Sequence, residues 1–177
     1  MRRGPVVRLT WADIEEANRL AHLRNDEKMR LGLRCGDGTS IERHVMGLCA
    51  ERAAEIYFDV VFPERREISL KGDRGIDGYL FGYPIGVKCS QRYQQQAFVA
   101  LSQWPSSVYA YAWFRRLAPL ELEFAGWLTA VWFGRQSRRV DLRLGPALAM
   151  DMDALDDPST MRSTLERCRA GTMKEDT

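Results

Sequence analysis

Asp77 and Lys88 have the types and the spacing to meet as a carboxylate and an ammonium. Asp77 and Lys88 lie in Gly75-Ile-Asp-Gly-Tyr-Leu-Phe-Gly-Tyr-Pro-Ile-Gly-Val-Lys-Cys89. This stretch reads as two short strands, because the strand-favouring Ile76, Leu80, Ile85 and Val87 flank a Phe81-Gly82-Tyr83-Pro84 turn. A turn centred between Gly82 and Tyr83 sets Asp77 directly opposite Lys88, since partner numbers along a ladder have a constant sum. One carboxylate then faces one ammonium. As a structural contact alone, such a half-buried cross-strand pair contributes about 0.2–1 kcal/mol. Position 86 shares the face of Lys88 and is a glycine.

The elements that must position these groups are read from caps and periodicity. Thr10-Trp-Ala-Asp13 has capping-box spacing and opens a helix with an apolar face of Trp11, Ile14, Ala17, Leu20 and Ala21. His22 and Arg24 suit the negative end of its dipole. The charged segment from Asn25 to Gly38 ends in turn-forming glycines, and Thr39-Ser-Ile-Glu42 then begins a second helix expected to reach about Tyr57. Ile41, Val45, Leu48, Cys49, Ala53 and Ile56 form its apolar stripe, while His44, Gly47, Glu51 and Glu55 lie along another face. Taken alone, Glu51 is a solvated helix residue. Gly47 costs about 1 kcal/mol in helix propensity relative to alanine, which points to close approach by another backbone.

Between that helix and the hairpin, Asp59 to Leu70 holds an apolar run, a proline break and a short alternating strand. Asp73 follows in a tight loop, as a turn residue or a stray metal ligand. Beyond Lys88, strands are expected over Ala97–Ser102, Val108–Phe114 and Glu121–Thr129, the aromatic second one as sheet packing. Arg135, Arg138, Arg139 and Arg143 form a basic cluster that suits phosphate contact or a solvated segment. The Asp151–Asp157 stretch lacks the glycine and terminal glutamate of a calcium loop. A short helix is expected through Arg169, followed by a disordered tail over 171–177.

Composition narrows the class. Lys and Arg number 26 against 24 Asp and Glu, and a net charge of +2 is too mild to mark a nucleic-acid binder by itself. No run of about 18 apolar residues is present, so no membrane span is expected, and Met1-Arg-Arg-Gly-Pro5 lacks the apolar stretch of a secretory signal. A cytoplasmic location follows as the expectation. Cys35, Cys49, Cys89 and Cys168 are widely spaced and the chain has two histidines, which suggests reduced thiols rather than zinc ligands or disulfides.

The hairpin with its preceding helix resembles the PD-(D/E)XK nuclease superfamily, in which a helix glutamate precedes an acid on one strand and an acid-x-Lys on the next. Gly47-Leu-Cys-Ala-Glu51 is similar to the GxxxE portion of that helix, Asp77 matches the first acid and Lys88 the lysine. Gly86 stands where the second acid is expected. Phe124 to Trp132 resembles the late strand and following segment of restriction-type and phage-encoded members, which extends the resemblance over residues 40 to 135.

This resemblance implies an α/β domain, a central mixed β-sheet flanked by helices, restriction-endonuclease-like. Residues 39–135 would be its core, with a helical extension over 1–38 and another extension over 136–170. It implies metal-dependent hydrolysis of DNA phosphodiester bonds, endo- or exonucleolytic. Mg2+ or Mn2+ would be held by Asp77 and Glu51, with Lys88 acting on water or phosphate. Arg74, Arg92, Arg135, Arg138 and Arg139 are the expected phosphate contacts, DNA is the expected partner, and a homodimer would allow two strands to be cut. Glu55, Glu67 and Asp73 are the alternative carboxylates for the gap at Gly86. That gap leaves open a catalytically inactive member serving as a nucleic-acid-binding or assembly module. A protein-interaction domain, with the aromatic sheet only as core, is the third reading.

Overall fold

The computed structural model describes residues 4–30, 39–63, 75–91, 95–104, 107–142 and 145–170. The chain is a mixed α/β protein with two sheets. β1 (Val6–Arg8), β2 (Gly78–Leu80), β3 (Tyr83–Gln91), β5 (Ala110–Ala118) and β6 (Glu121–Thr129) form the larger sheet, in the order β1-β6-β5-β3-β2. β3 and β5 run parallel and the other pairs antiparallel. β4 (Gln96–Ala100), β7 (Arg138–Leu142) and β8 (Gly145–Asp151) form a second, antiparallel sheet in the order β4-β8-β7.

The two faces of the larger sheet are buried by different layers. One is covered by α1 (Trp11–Arg30), α2 (Thr39–Phe58) and α4 (Pro158–Arg169). Leu48, Ala50, Ala53 and Ala54 of α2 share a core there with Ile85, Val87, Ala112 and Phe114. Phe114 stacks on Phe124 at 4.8 Å and 12°. The other face carries Tyr111, Trp113 and Leu128 against Ala97, Val99 and Met150 of the second sheet, with Phe133 of α3 (Ala130–Gln136) filling the gap.

Several expectations need correction. α1 runs on to Arg30, past the charged boundary, where a Glu27–Arg30 pair at 2.6 Å supports the last turn. Trp11 and Ile56 are exposed rather than in the core. β7 and β8 were not expected as strands, and they place the C-terminal segment inside the fold, as β1 does for the N-terminal one. Residues 59–63 carry no strand, and the proposed strand up to Leu70, like Cys35, lies outside the described residues. Cys49, Cys89 and Cys168 are free thiols. Among the described residues no helix is long and apolar enough to cross a membrane.

The capping box at α1 is closed in both directions. The Asp13 N–H donates to Thr10 Oγ1 at 3.2 Å, and Thr10 N–H and hydroxyl donate to Asp13 Oδ2 at 2.8 and 2.7 Å. Arg52 of α2 then bridges Asp13 at 2.8 Å and Glu55 at 3.1 Å, tying the two helices together. Partial burial pushes the Asp13 carboxyl up, but the hydrogen bonds from Thr10 and Arg52 outweigh it and hold it below its ordinary 3.8. A carboxylate depressed in the folded state stabilises the fold above its unfolded value and loses that contribution as pH falls through the folded one. Thr10→Ala is therefore expected to cost about 1 kcal/mol in chemical denaturation at neutral pH. Asp13→Asn is expected to lower stability at neutral pH, with the gap to the native protein closing as acid is added below pH 3.8.

Candidate functional site at the mouth of the β2–β3 hairpin

The hairpin turns on two residues, Phe81 and Gly82, with φ of 53° and 89°. Positive φ at both positions gives the twist that two-residue hairpins favour, and glycine supplies it without steric cost. Phe81 is held in this conformation by packing against the core and by the Arg162 guanidinium, 5.7 Å from its ring centre. The turn centre thus falls one residue earlier than expected. Gly78 pairs with Ile85 and Leu80 with Tyr83, which sets Asp77 level with Gly86 and not with Lys88. Among the described residues the expected Asp77–Lys88 ion pair is not formed.

Asp77 instead prolongs the ladder where β2 stops. Its N–H donates to the Ile85 carbonyl at 2.9 Å, and its Oδ2 accepts the Val87 N–H at 2.6 Å. Lys88 is the next residue on β3. Ile85 and Val87 point to the α2 side, so alternation sends Lys88 to the other face, where its Nζ lies 5.6 Å from the Tyr111 ring centre. Cys89 returns to the α2 side near Cys49 and is pushed up to about 12, by burial first and then by Cys49, which makes it a poor nucleophile.

Gly86 is opposite Tyr111 on β5. A Cβ there would meet two Tyr111 ring carbons at 2.7 Å and the Gly75 carbonyl oxygen at 3.0 Å, and Tyr111 is fully buried. The space that a second acid would need is filled by an aromatic ring. Gly86→Asp is expected to destabilise the fold by about 1–3 kcal/mol, the usual cost of overpacking, read as a lower urea midpoint with unchanged slope. An unchanged midpoint would mean that Tyr111 gives way.

α2 contributes two buried carboxylates, Glu51 at 7% exposure and Glu55 at 3%. Glu55 Oε1 accepts the Phe62 N–H at 2.8 Å and Oε2 pairs with Arg52, so this residue fastens the chain leaving α2. Phe62, which follows the acidic row of α2, packs its ring on Gly78 of β2. Glu51 is one turn earlier in that row. The burial of both was not expected from the sequence, which sets them on a face apart from the apolar stripe. A Cβ at Gly47 would meet nothing within 4 Å, so no backbone approaches it, contrary to expectation. Gly47→Ala is accordingly expected to raise stability by about 0.5–1 kcal/mol in a thermal melt.

Arg135 lies on α3, and Arg138 and Arg139 lie on β7; all three are exposed. Arg74, Arg92, Glu67 and Asp73 lie outside the described residues. Among the described residues no three His, Cys, Asp or Glu side chains group as a metal site. No protein-family model, curated protein or solved structure matches this chain.

Proposed function

We propose that this chain is a metal-dependent DNA nuclease with a restriction-endonuclease-like fold, working at the mouth of the β2–β3 hairpin. The observation that carries the reading is the Asp77 carboxylate held on the Val87 N–H at 2.6 Å, immediately before Lys88. An oriented acid just before β2 is thereby held one residue from the lysine on β3. In this reading Asp77 and the buried Glu51 would hold a magnesium ion, which is often held by one or two carboxylates and keeps several waters. When bound, such an ion supplies charge at the scissile phosphate and lowers the pKa of a water.

The chain's own residues have separate parts in this proposal. Val87 fixes the direction of Asp77, Glu51 supplies the second acid in place of residue 86, and Lys88 stabilises charge building on the phosphate. A second reading, an inactive nuclease fold that binds nucleic acid, is favoured by one feature: the Tyr111 ring fills the space above Gly86.

Cleavage of supercoiled plasmid and single-stranded DNA with Mg2+ or Mn2+ tests the first reading. Asp77→Asn keeps an oxygen acceptor for Val87 while removing the charge, which separates chemistry from folding. It, Glu51→Gln and Lys88→Met are each expected to cut roughly a hundredfold more slowly or worse, and chelation should stop cutting. A native chain that binds DNA but never cuts it supports the second reading. Variants that cut like the native chain would remove the proposed site.

A further inference from the structure

We infer that α3 and the start of β7 form a platform for single-stranded nucleic acid, with Trp132 stacking on a base and Arg135, Arg138 and Arg139 contacting the backbone. This rests on reading the chain as a nucleic-acid-binding protein, but not on Asp77, Glu51 or Lys88 as a cleavage centre.

The inner face of α3 is firmly seated. Phe133 is fully buried, 5.0 Å from Trp113 and 6.1 Å from Tyr111 between ring centres. A Cβ at Gly134 would come within 2.4 Å of the Trp104 ring. The helix start is capped by Thr129, whose side chain accepts the Trp132 N–H at 3.4 Å. The outer face carries Val131 at 60% exposure and Trp132 at 46%. An indole presented to water on a rigid helix has a large π-face and no protein core to bury it.

Three arginines follow that indole closely in the chain, with Asp141 the acid farther along β7. Arg135 lies over the Trp132 ring at 5.6 Å. Ser137 ends the helix and Arg138 and Arg139 follow at once, exposed on the edge strand of the second sheet. Among the described residues none of these three arginines is paired with an acid. Unpaired arginines beside an exposed aromatic ring match a strand that offers both phosphates and unstacked bases. A duplex offers the phosphates but keeps its bases stacked, so it would engage the arginines and not Trp132.

The test is fluorescence anisotropy of a labelled oligothymidylate of roughly twelve nucleotides, and of a matching duplex, with the full chain in EDTA so that nothing is cut. Trp132→Ala is expected to weaken single-strand binding at least about fivefold, and Trp132→Phe to restore most of it. Arg138→Gln and Arg139→Gln should each reduce the slope of log affinity against log salt by about 0.7. A Trp132→Ala variant that melts like the native chain yet binds single strands equally well would overturn the inference. So would a duplex affinity equally sensitive to Trp132, or binding of polyglutamate in place of either nucleic acid. A chain that cuts DNA without using Trp132 in binding loses this platform and keeps its proposed cleavage centre. One that binds through Trp132 and does not cut does the reverse.

Discussion

The contact between the Tyr111 ring and the backbone at Gly86 sets how β3 can be used, and the placements around it follow in turn. With no side chain at 86, the ring of a neighbouring parallel strand lies directly on the peptide. Lys88, two residues on and on the same face, runs its ammonium over that ring. The arrangement suits a lysine, whose apolar stem covers aromatic surface while its charge meets the negative π-face. Asp77, level with Gly86 on the other side, meets no side chain there and turns to the Val87 amide.

The carboxylates of α2 show how burial assigns work. A buried acid is costly unless its oxygens are satisfied, and Glu55 has the Phe62 amide and Arg52 to do so. It is a fastening between α2, the segment after it and, through Arg52, the start of α1. This commits Glu55 to structure. The helix that carries Glu51 is therefore held by an electrostatic tie to α1 as well as by its alanine-rich contact with the sheet.

Much of this was legible in the sequence. The Thr10 capping box, the span of β6 and the existence of the β2–β3 hairpin follow from short-range rules that tertiary packing does not override here. The register was not legible for a specific reason. Moving a turn centre by one residue shifts every partner by two, which leaves each side chain on the same face, so hydrophobic alternation cannot choose between the two pairings. Gly82 is a turn residue in either pairing, so its positive φ does not choose between them either. The burial of Glu51 and Glu55 was hidden because periodicity shows which residues share a helix face, not what covers that face. β7 was hidden because Arg138, Arg139, Asp141 and Leu142 are exposed on both of its sides, which erases the two-residue period. In the site, neither the Asp77–Val87 hydrogen bond, which stands in place of the expected Asp77–Lys88 pair, nor the ring from β5 above Gly86 was readable.

The larger sheet ends on both sides in strands of only three residues, β1 and β2. An edge this short offers an incoming chain few unpaired amides and carbonyls, a familiar device against runaway sheet-to-sheet growth. Adding a strand to β1 or β2 themselves would gain only a few ladder bonds. β2 covers only Tyr83–Ile85 of β3, so the parallel pair reaches past its short neighbour, and the longer stretch of this border belongs to β3 from Gly86 to Gln91.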